Sequence, residues 1–259
     1  MGLKIQVLAS GSKGNCIWIC SERTQILIDA GLSGAEITRR LNKAGGNPRK
    51  LEGILVSHEH RDHVNSLGIL SRRYDLPVLI NQDTLSSLPP KIAPFSQTFI
   101  FKTGNTFKFG DLHIHPFSIP HDASDPVGFI IKENNNSVGI CTDLGMATKL
   151  IVNYLKSCNV LVLESNHDPD LLINGPYPWE LKKRISSKHG HLSNIDAVEL
   201  AELVYHSDLK YLVLAHLSET NNHPKIVEAL FAEARQRNEW SNLKVEVSTQ
   251  NIVGKPIIL

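Results

Sequence analysis

Six consecutive residues, His58-Glu59-His60-Arg61-Asp62-His63, carry four potential metal ligands in His58, His60, Asp62 and His63. They follow the apolar run Ile54-Leu55-Val56, which reads as a buried strand. In extended backbone, residues two apart project to the same side, so His58 and His60 can share one ion. A helix starting near Asp62 turns the chain there and aims Asp62 and His63 at a neighbouring position, where a second ion fits. Imidazole and carboxylate donors together suit zinc, with manganese or iron compatible where oxygen donors are numerous. A solvated polar loop is the bland alternative. It does not account for the set, because unpaired imidazoles and a carboxylate gain nothing at a strand-to-helix junction.

The elements around this cluster alternate between strand and helix. Leu3 to Ala9, Cys16 to Cys20 and Gln25 to Asp29 are short apolar strand patterns closed by Gly, Ser or Asn. Ser33 reads as the N-cap of a helix through Ala44, with Glu36 completing a capping box. Residues 62 to 74 have helical spacing, and Val78-Leu79-Ile80 is the next strand. Phe99 to Phe101, Thr106 to Phe109, His113 to Phe117, Val127 to Ile131 and Val138 to Cys141 follow as strands separated by turn signals. A helix near 146 to 156, the buried runs Val160 to Leu163 and Tyr211 to Leu214, and helices at Ile195 to Tyr205 and Pro224 to Arg235 complete the chain. Two sheets packed face to face with outer helices give every apolar strand face a partner, so the expected class is α/β and αββα.

Composition narrows the setting. The 259 residues, 41% hydrophobic and 20% charged, suffice for one large core, and a single domain over 1–259 is the expectation. No apolar run approaches the roughly 18 residues of a membrane span. Met1 to Gln6 leads straight into a strand pattern without a signal peptide, so the expected protein is cytoplasmic with no membrane partner. Cys16, Cys20, Cys141 and Cys158 form no CxxC pair and read as reduced, mostly buried thiols without a chemical role. The net charge is only +1, so a nucleic-acid partner must be held by a local basic patch.

The histidine cluster resembles the HxHxDH signature of the metallo-β-lactamase superfamily, and the αββα expectation agrees with that family's architecture. The resemblance implies four further elements, each present in order. Asp29 closes an early strand and corresponds to a supporting carboxylate. His121, in Ser118-Ile119-Pro120-His121-Asp122, corresponds to the third histidine of the first ion; read alone, it is equally a turn residue. Asp143, in Ile140-Cys141-Thr142-Asp143-Leu144-Gly145, corresponds to the bridging carboxylate; read alone, it is a helix cap. His216, in Leu212-Val213-Leu214-Ala215-His216-Leu217, corresponds to the last ligand. By resemblance, His58, His60 and His121 hold one ion, Asp62, His63 and His216 the other, and Asp143 bridges them. Two cations bring the pKa of a water between them towards neutrality and clamp charge developing in the transition state, which implies hydrolysis of an ester, amide or phosphodiester, with Asp62 also counted as catalytic. Flavodiiron oxidoreductases of this fold resemble HxExDH instead, and true β-lactamases lack the bridging Asp, so His60 and Asp143 turn the expectation away from both.

Other segments point to phosphodiesters. Gly190-His191-Leu192-Ser193 resembles the GHxS segment of the β-CASP nucleases such as RNase J, which assigns His191 to the scissile phosphate as a donor or acid. Ser193 also reads as a helix cap, compatible with that role. Leu8 to Cys16, Leu163 to Asp168, His189 to Asn194 and Ala215 to Asn222 together resemble the YycJ/WalJ group of bacterial metallohydrolases. That resemblance implies a 5′-to-3′ exonuclease acting on DNA. There is no room between Asp143 and His191 for an inserted β-CASP domain, so any substrate clamp must be built differently. Gly11, Ser12 and Gly14 let their loop approach a phosphate, or simply make a tight turn. Ser12 and Asn15 of that loop, His167, His189 and Ser193 join Asp29 as supporting or substrate-contacting candidates, with His167 facing either the site or solvent. Lys182-Lys183-Arg184 and Lys188, with Arg61 and Arg72-Arg73, are either a patch that tracks a nucleic-acid backbone or a solvated face. Tyr177 and Trp179 beside them either stack on bases or pack on the fold. Two further hypotheses are a small-molecule ester or cyclic-phosphate hydrolase using the same ions, and, ranked last, a non-catalytic metal-binding scaffold.

Overall fold

The computed structural model describes residues 2–238 and 240–259. The first half of the chain builds β1 (Lys4–Ala9), β2 (Cys16–Cys20), β3 (Gln25–Ile28), β4 (Gly53–Leu55), β5 (Pro77–Asn81) and β6 (Gln97–Phe101). The second builds β7 (Phe107–Phe109), β8 (Leu112–Ser118), β9 (Val127–Glu133), β10 (Asn136–Cys141), β11 (Val160–Glu164), β12 (Tyr211–Ala215), β13 (Lys244–Val247) and β14 (Ile257–Ile258). They form two seven-stranded sheets, ordered β14-β1-β2-β3-β4-β5-β6 and β13-β12-β11-β10-β9-β8-β7. Both are mixed: β3 to β6 run parallel in one, and β10 to β13 in the other.

Period-two alternation explains the layering. In β11, Val160 and Val162 join the cluster between the sheets, while Leu161 and Leu163 join the cluster under the helices on the far side. In β3, Ile26 and Ile28 face the other sheet and Leu27 faces outward. The central strands are therefore apolar throughout, as strands covered on both faces must be. The outer face of the first sheet is covered by α1 (Gly34–Lys43), α2 (Arg61–Val64), α3 (Leu67–Tyr74) and α4 (Gln82–Ser87). The second sheet carries α5 (Lys149–Leu155), α6 (Pro169–Asn174), α7 (Trp179–Ile185), α8 (Asn194–Val204) and α9 (Pro224–Arg237). The αββα expectation holds.

Local chemistry sets three departures from the sequence reading. The helix expected over 62 to 74 is broken into α2 and α3: the His63 carbonyl accepts from Ala30 N at 2.6 Å, and Ser66 N bonds back to Ala30 O at 2.9 Å. These bonds to the end of β3 replace helical ones and fix His63 against the neighbouring strand. The capping box is half made. Ser33 Oγ accepts from Glu36 N, but the Glu36 carboxylate binds Arg39 and Arg40 instead of reaching back. The elements α4, α6, α7, β13 and β14 were not expected; they are short or poorly buried.

Candidate active site

Most of the candidate ligands and their supports follow the carboxyl ends of parallel strands, where an α/β sheet leaves a crevice, while His121 follows an antiparallel one. Asp29 follows β3, His58 follows β4, Asp143 follows β10 and His216 follows β12; His121 lies three residues past β8. Asp29, Asp143 and His216 have left-handed backbone, with φ of 61°, 58° and 56°. Each such residue costs on the order of 1–3 kcal/mol, so the surrounding hydrogen bonds must hold it. Gly31 has a simpler duty: a Cβ there would meet the Asp62 carbonyl oxygen at 1.6 Å. Only glycine lets the β3 loop lie against the backbone of the histidine cluster.

The seven expected ligands converge. Donor atoms of His58, His60 and His121 lie within 4.8 Å of one another, as do those of Asp62, His63 and His216, and Asp143 groups with His58 and His63. Four of the histidines have one ring nitrogen engaged. Ser57 Oγ sits 3.0 Å from His58 Nδ1, Asp29 Oδ2 2.7 Å from His63 Nδ1, Gly190 O 3.0 Å from His121 Nδ1, and Glu164 Oε1 2.7 Å from His216 Nδ1. That pattern fixes the ring and presents the opposite nitrogen inward. His121 Nε2 and His60 Nδ1 face each other at 3.3 Å.

The donor set fits divalent cations. His58 Nε2, His216 Nε2 and Asp143 Oδ2 are buried and have no hydrogen-bond partner among the described residues. Orphaned buried acceptors on three converging ligands are costly unless a cation takes their lone pairs. Charge in the metal-free site points the same way. Burial, the largest single influence, opposes protonation of His63 and His216, but the surrounding carboxylates together outweigh it and raise both: Asp143, Asp29 and Asp62 around His63, and Asp143, Asp62 and Glu164 around His216. Burial also opposes ionisation of Asp62 and Asp143, but His63 acts on Asp62 and His216 and His63 on Asp143, holding both well below the usual carboxylate range. Protons there stand where cations belong.

Glu164 was missed as a site residue. It is fully buried at the end of β11, where its Oε2 accepts from Leu144 N at 2.7 Å and Leu192 N at 3.1 Å, while its Oε1 faces His191 Nδ1 at 2.9 Å and His216 Nδ1 at 2.7 Å. Burial would raise its pKa, but the His191 and His216 imidazoles hold it lowered. Its oxygens are thus occupied, which makes it a support rather than a ligand, even though it groups with Asp143, His191 and His216. Its signal in the sequence was a lone carboxylate closing an otherwise apolar strand, the same signal as Asp29. A buried amide network pins the loops behind it. Asn222 Nδ2 reaches Ser165 O and Asn166 O, both at 2.9 Å, Asn194 Nδ2 reaches Asn222 Oδ1 at 3.0 Å, and Asn166 Nδ2 reaches His216 O at 2.8 Å.

The remaining candidates divide. Asp29 accepts from Ser57 N and Ser57 Oγ as well as facing His63. Asn15 Nδ2 lies 3.2 Å from Asp62 Oδ2 and 3.0 Å from His63 Nε2. Ser12 and His191 line the cavity of about 370 Å³ above the ligands, together with Arg61, Tyr177, Leu181 and Arg184. Burial opposes a charge on His191, but Glu164 raises its pKa, favouring the imidazolium. Ser193 caps α8, accepting from Asp196 N. His167 is buried in a bridge with Ser193, and His189 is exposed; neither lines the cavity. Lys182, Lys183 and Lys188 are also outside it. Lys182 Nζ donates to Ile173 O at 2.7 Å and Lys183 lies over the exposed Trp179 ring, while Arg72 donates to Pro94 O. The four cysteines are free; burial pushes Cys16 and Cys141 above the ordinary thiol range and Cys158 up to about 12, so these three are inert.

Five histidines and two aspartates at the carboxyl ends of two packed sheets, beneath a cavity, define a metal-dependent hydrolase of αββα architecture. The chain belongs to the beta-lactamase superfamily, whose superfamily-domain model matches residues 24–217. It is 41% identical over 224 residues to exodeoxyribonuclease YycJ of Bacillus anthracis, spanning 86% of this chain and 85% of that protein. Exodeoxyribonuclease WalJ of Streptococcus pneumoniae serotype 2 (strain D39 / NCTC 7466) is 35% identical over 226 residues, spanning 86% of this chain and 84% of the relative. The crystal structure of the metallo-beta-lactamase fold protein YhfI from Bacillus subtilis shares the fold at a TM-score of 0.73 over 98% of this chain and 100% of that one, at 17% identity. Among the described residues, no helix is long and apolar enough to cross a membrane.

Proposed function

We propose that the protein is a two-metal 5′-to-3′ exonuclease that acts on DNA in the cytoplasm, with zinc or manganese as its ions and iron compatible with the same donors. The observation that carries this reading is the pair of ligand clusters joined by Asp143 and open to a cavity that His191 also lines. The relatives' names supply the nucleic-acid and DNA part, and the free cysteines suit a reducing compartment. His58, His60 and His121 would hold one cation, and Asp62, His63 and His216 the other, with Asp143 between. When bound, such a pair supplies a nucleophilic water at neutral pH and neutralises charge on a phosphodiester.

The chain's own residues do the rest. Glu164 holds the His216 ring towards the second cluster and holds a proton on His191 Nδ1, leaving His191 Nε2 to meet the scissile phosphate or leaving oxygen. Asp29 does for His63 what Glu164 does for His216. Arg61 brings a cation to the cavity, where Arg184 is already paired with Asp122, and that charge suits a phosphate backbone better than a neutral small ester. With no inserted clamp domain, 1–259 works as one unit and segment 169–185 supplies the outer wall. The test incubates metal-loaded protein with 5′-phosphorylated and 5′-hydroxyl DNA and RNA, single- and double-stranded. Stepwise release of mononucleotides from one end of DNA is the expected result. Release from none of these with zinc, manganese or iron, alongside hydrolysis of a cyclic phosphate, would overturn it.

A further inference from the structure

We propose that Tyr177, Leu181 and Ile185 form a wall that packs against the base of one unpaired terminal nucleotide while its phosphate lies on the metal centre. The inference rests on the exonuclease reading and deepens it. Every longer helix turns an apolar face to a sheet, but α7 has no fully buried residue. Within α7, Leu181 and Ile185 lie four residues apart on one stripe, and Tyr177, two residues before the helix, brings its ring to the same side. All three line the cavity that contains Asp62, Asp143 and His191. These side chains are half-buried, belong to none of the three core clusters of the described residues, and face a floor of carboxylates and imidazoles. Its complement must present an apolar face and an anion together.

A nucleotide does so. Its base offers a flat π-face that stacks on an aromatic ring, and its phosphate belongs at the cations. A cavity of about 370 Å³ lies at the small end of ligand sites and has room for a single nucleotide. A terminal pair would carry its partner strand into the same cavity, so the residue that enters is taken as unpaired. The wall is fixed relative to the catalytic groups. Arg184 Nε donates to Asp122 Oδ2 at 2.5 Å, and Asp122 Oδ1 lies 3.4 Å from His121 Nε2. A Cβ on Gly190 would meet Ile185 O at 2.1 Å, so the loop bearing His191 lies directly against the end of α7. The wall and the phosphate-facing histidine therefore keep one spacing.

The test compares a single-stranded oligodeoxynucleotide with the same strand carrying abasic tetrahydrofuran residues at its two ends. Removing the base should slow first release by the wild-type protein about tenfold in kcat/KM. Tyr177→Ala and Leu181→Ala should each lose about as much on the intact strand and about twofold or less on the abasic one. Equal losses on both strands, or no effect of the base on wild type, would overturn the wall. Binding separates it from the exonuclease reading. Metal-loaded protein should bind dAMP about tenfold more tightly than deoxyribose 5-phosphate, and Tyr177→Ala should erase that preference without moving the thermal midpoint. A base preference in binding without nucleotide release would retire the exonuclease reading and leave the wall standing. Nucleotide release with no base preference in either assay would do the reverse.

Discussion

His216 and Leu181 line the same cavity and are held in opposite ways. His216 is 2% exposed, bonded through its ring to Glu164, through its amide to Ser10 Oγ and through its carbonyl to Asn166. Leu181 sits on a seven-residue helix without a fully buried residue, tied down by Arg184 to Asp122 and Lys182 to Ile173 O. The difference teaches where precision is needed. Ligands must be placed within a few tenths of an ångström, so they stand on strand ends with strained backbone locked by buried bonds. A surface that accepts any of four bases needs only an apolar face, and a small helix on the rim provides it.

That contrast can be broken first at the ligands. Asp62→Ala and Asp143→Ala should each lower kcat by about a thousandfold or more, measured at saturating metal; full activity in either contradicts the assignment. Supports come next. Glu164→Gln should cost about a hundredfold in kcat, because His191 and His216 both lose their orienting carboxylate, whereas Asp29→Asn should weaken metal binding about 10–100-fold with a smaller loss at saturating metal. Titration calorimetry and rates at varied metal separate the two. Equal behaviour would remove the distinction between a carboxylate serving one histidine and one serving two.

Stability should divide along the same line. Leu163→Ala, in the core beneath the helices, should cost about 2–5 kcal/mol in urea unfolding, while Leu181→Ala should cost about 1 kcal/mol or less. A large cost at Leu181 would make α7 part of the core. The smallest effect is a pH dependence confined to the metal-free protein. His63 and His216 have raised folded pKa values, so their contribution is complete below about 6.5, the unfolded value, and fades as pH climbs through the folded ones. Thermal midpoints in chelator should fall over that rise, and bound cations should remove the dependence. Below about 6.5 the lowered His58 and His121 work in the opposite sense, so it is a midpoint rising with pH above that value in chelator that would refute the proton-for-cation exchange.

The cluster from His58 to His63 was legible from residue type and spacing, whereas His121, Asp143 and His216 were picked out only by the order of elements that the resemblance implies; the structure brings all seven side chains together. The core strands were equally plain: Val160 to Leu163 and Tyr211 to Leu214 are apolar on both faces because both faces are covered. Glu164 escaped notice because one carboxylate after an apolar strand ordinarily marks the strand's exit to solvent, and only tertiary contact shows two imidazoles waiting for it. Lys182 to Arg184 and Lys188, with Tyr177 and Trp179, were read as a charge run beside two aromatics, because a helix as short as α7 lies within the noise of propensity. The four-residue spacing of Leu181 and Ile185 was visible, but nothing local says that they and Tyr177 face a cavity and not the core. The break between α2 and α3 depends on Ala30, which is far from it in sequence.

Anomalous diffraction from crystals grown with zinc or manganese bears most directly on the metal centre. Two peaks about 3.5–4 Å apart should appear, one against His58, His60 and His121, the other against Asp62, His63 and His216, with Asp143 touching both. A single peak, or one bonded to Glu164 in place of His216, would contradict the account.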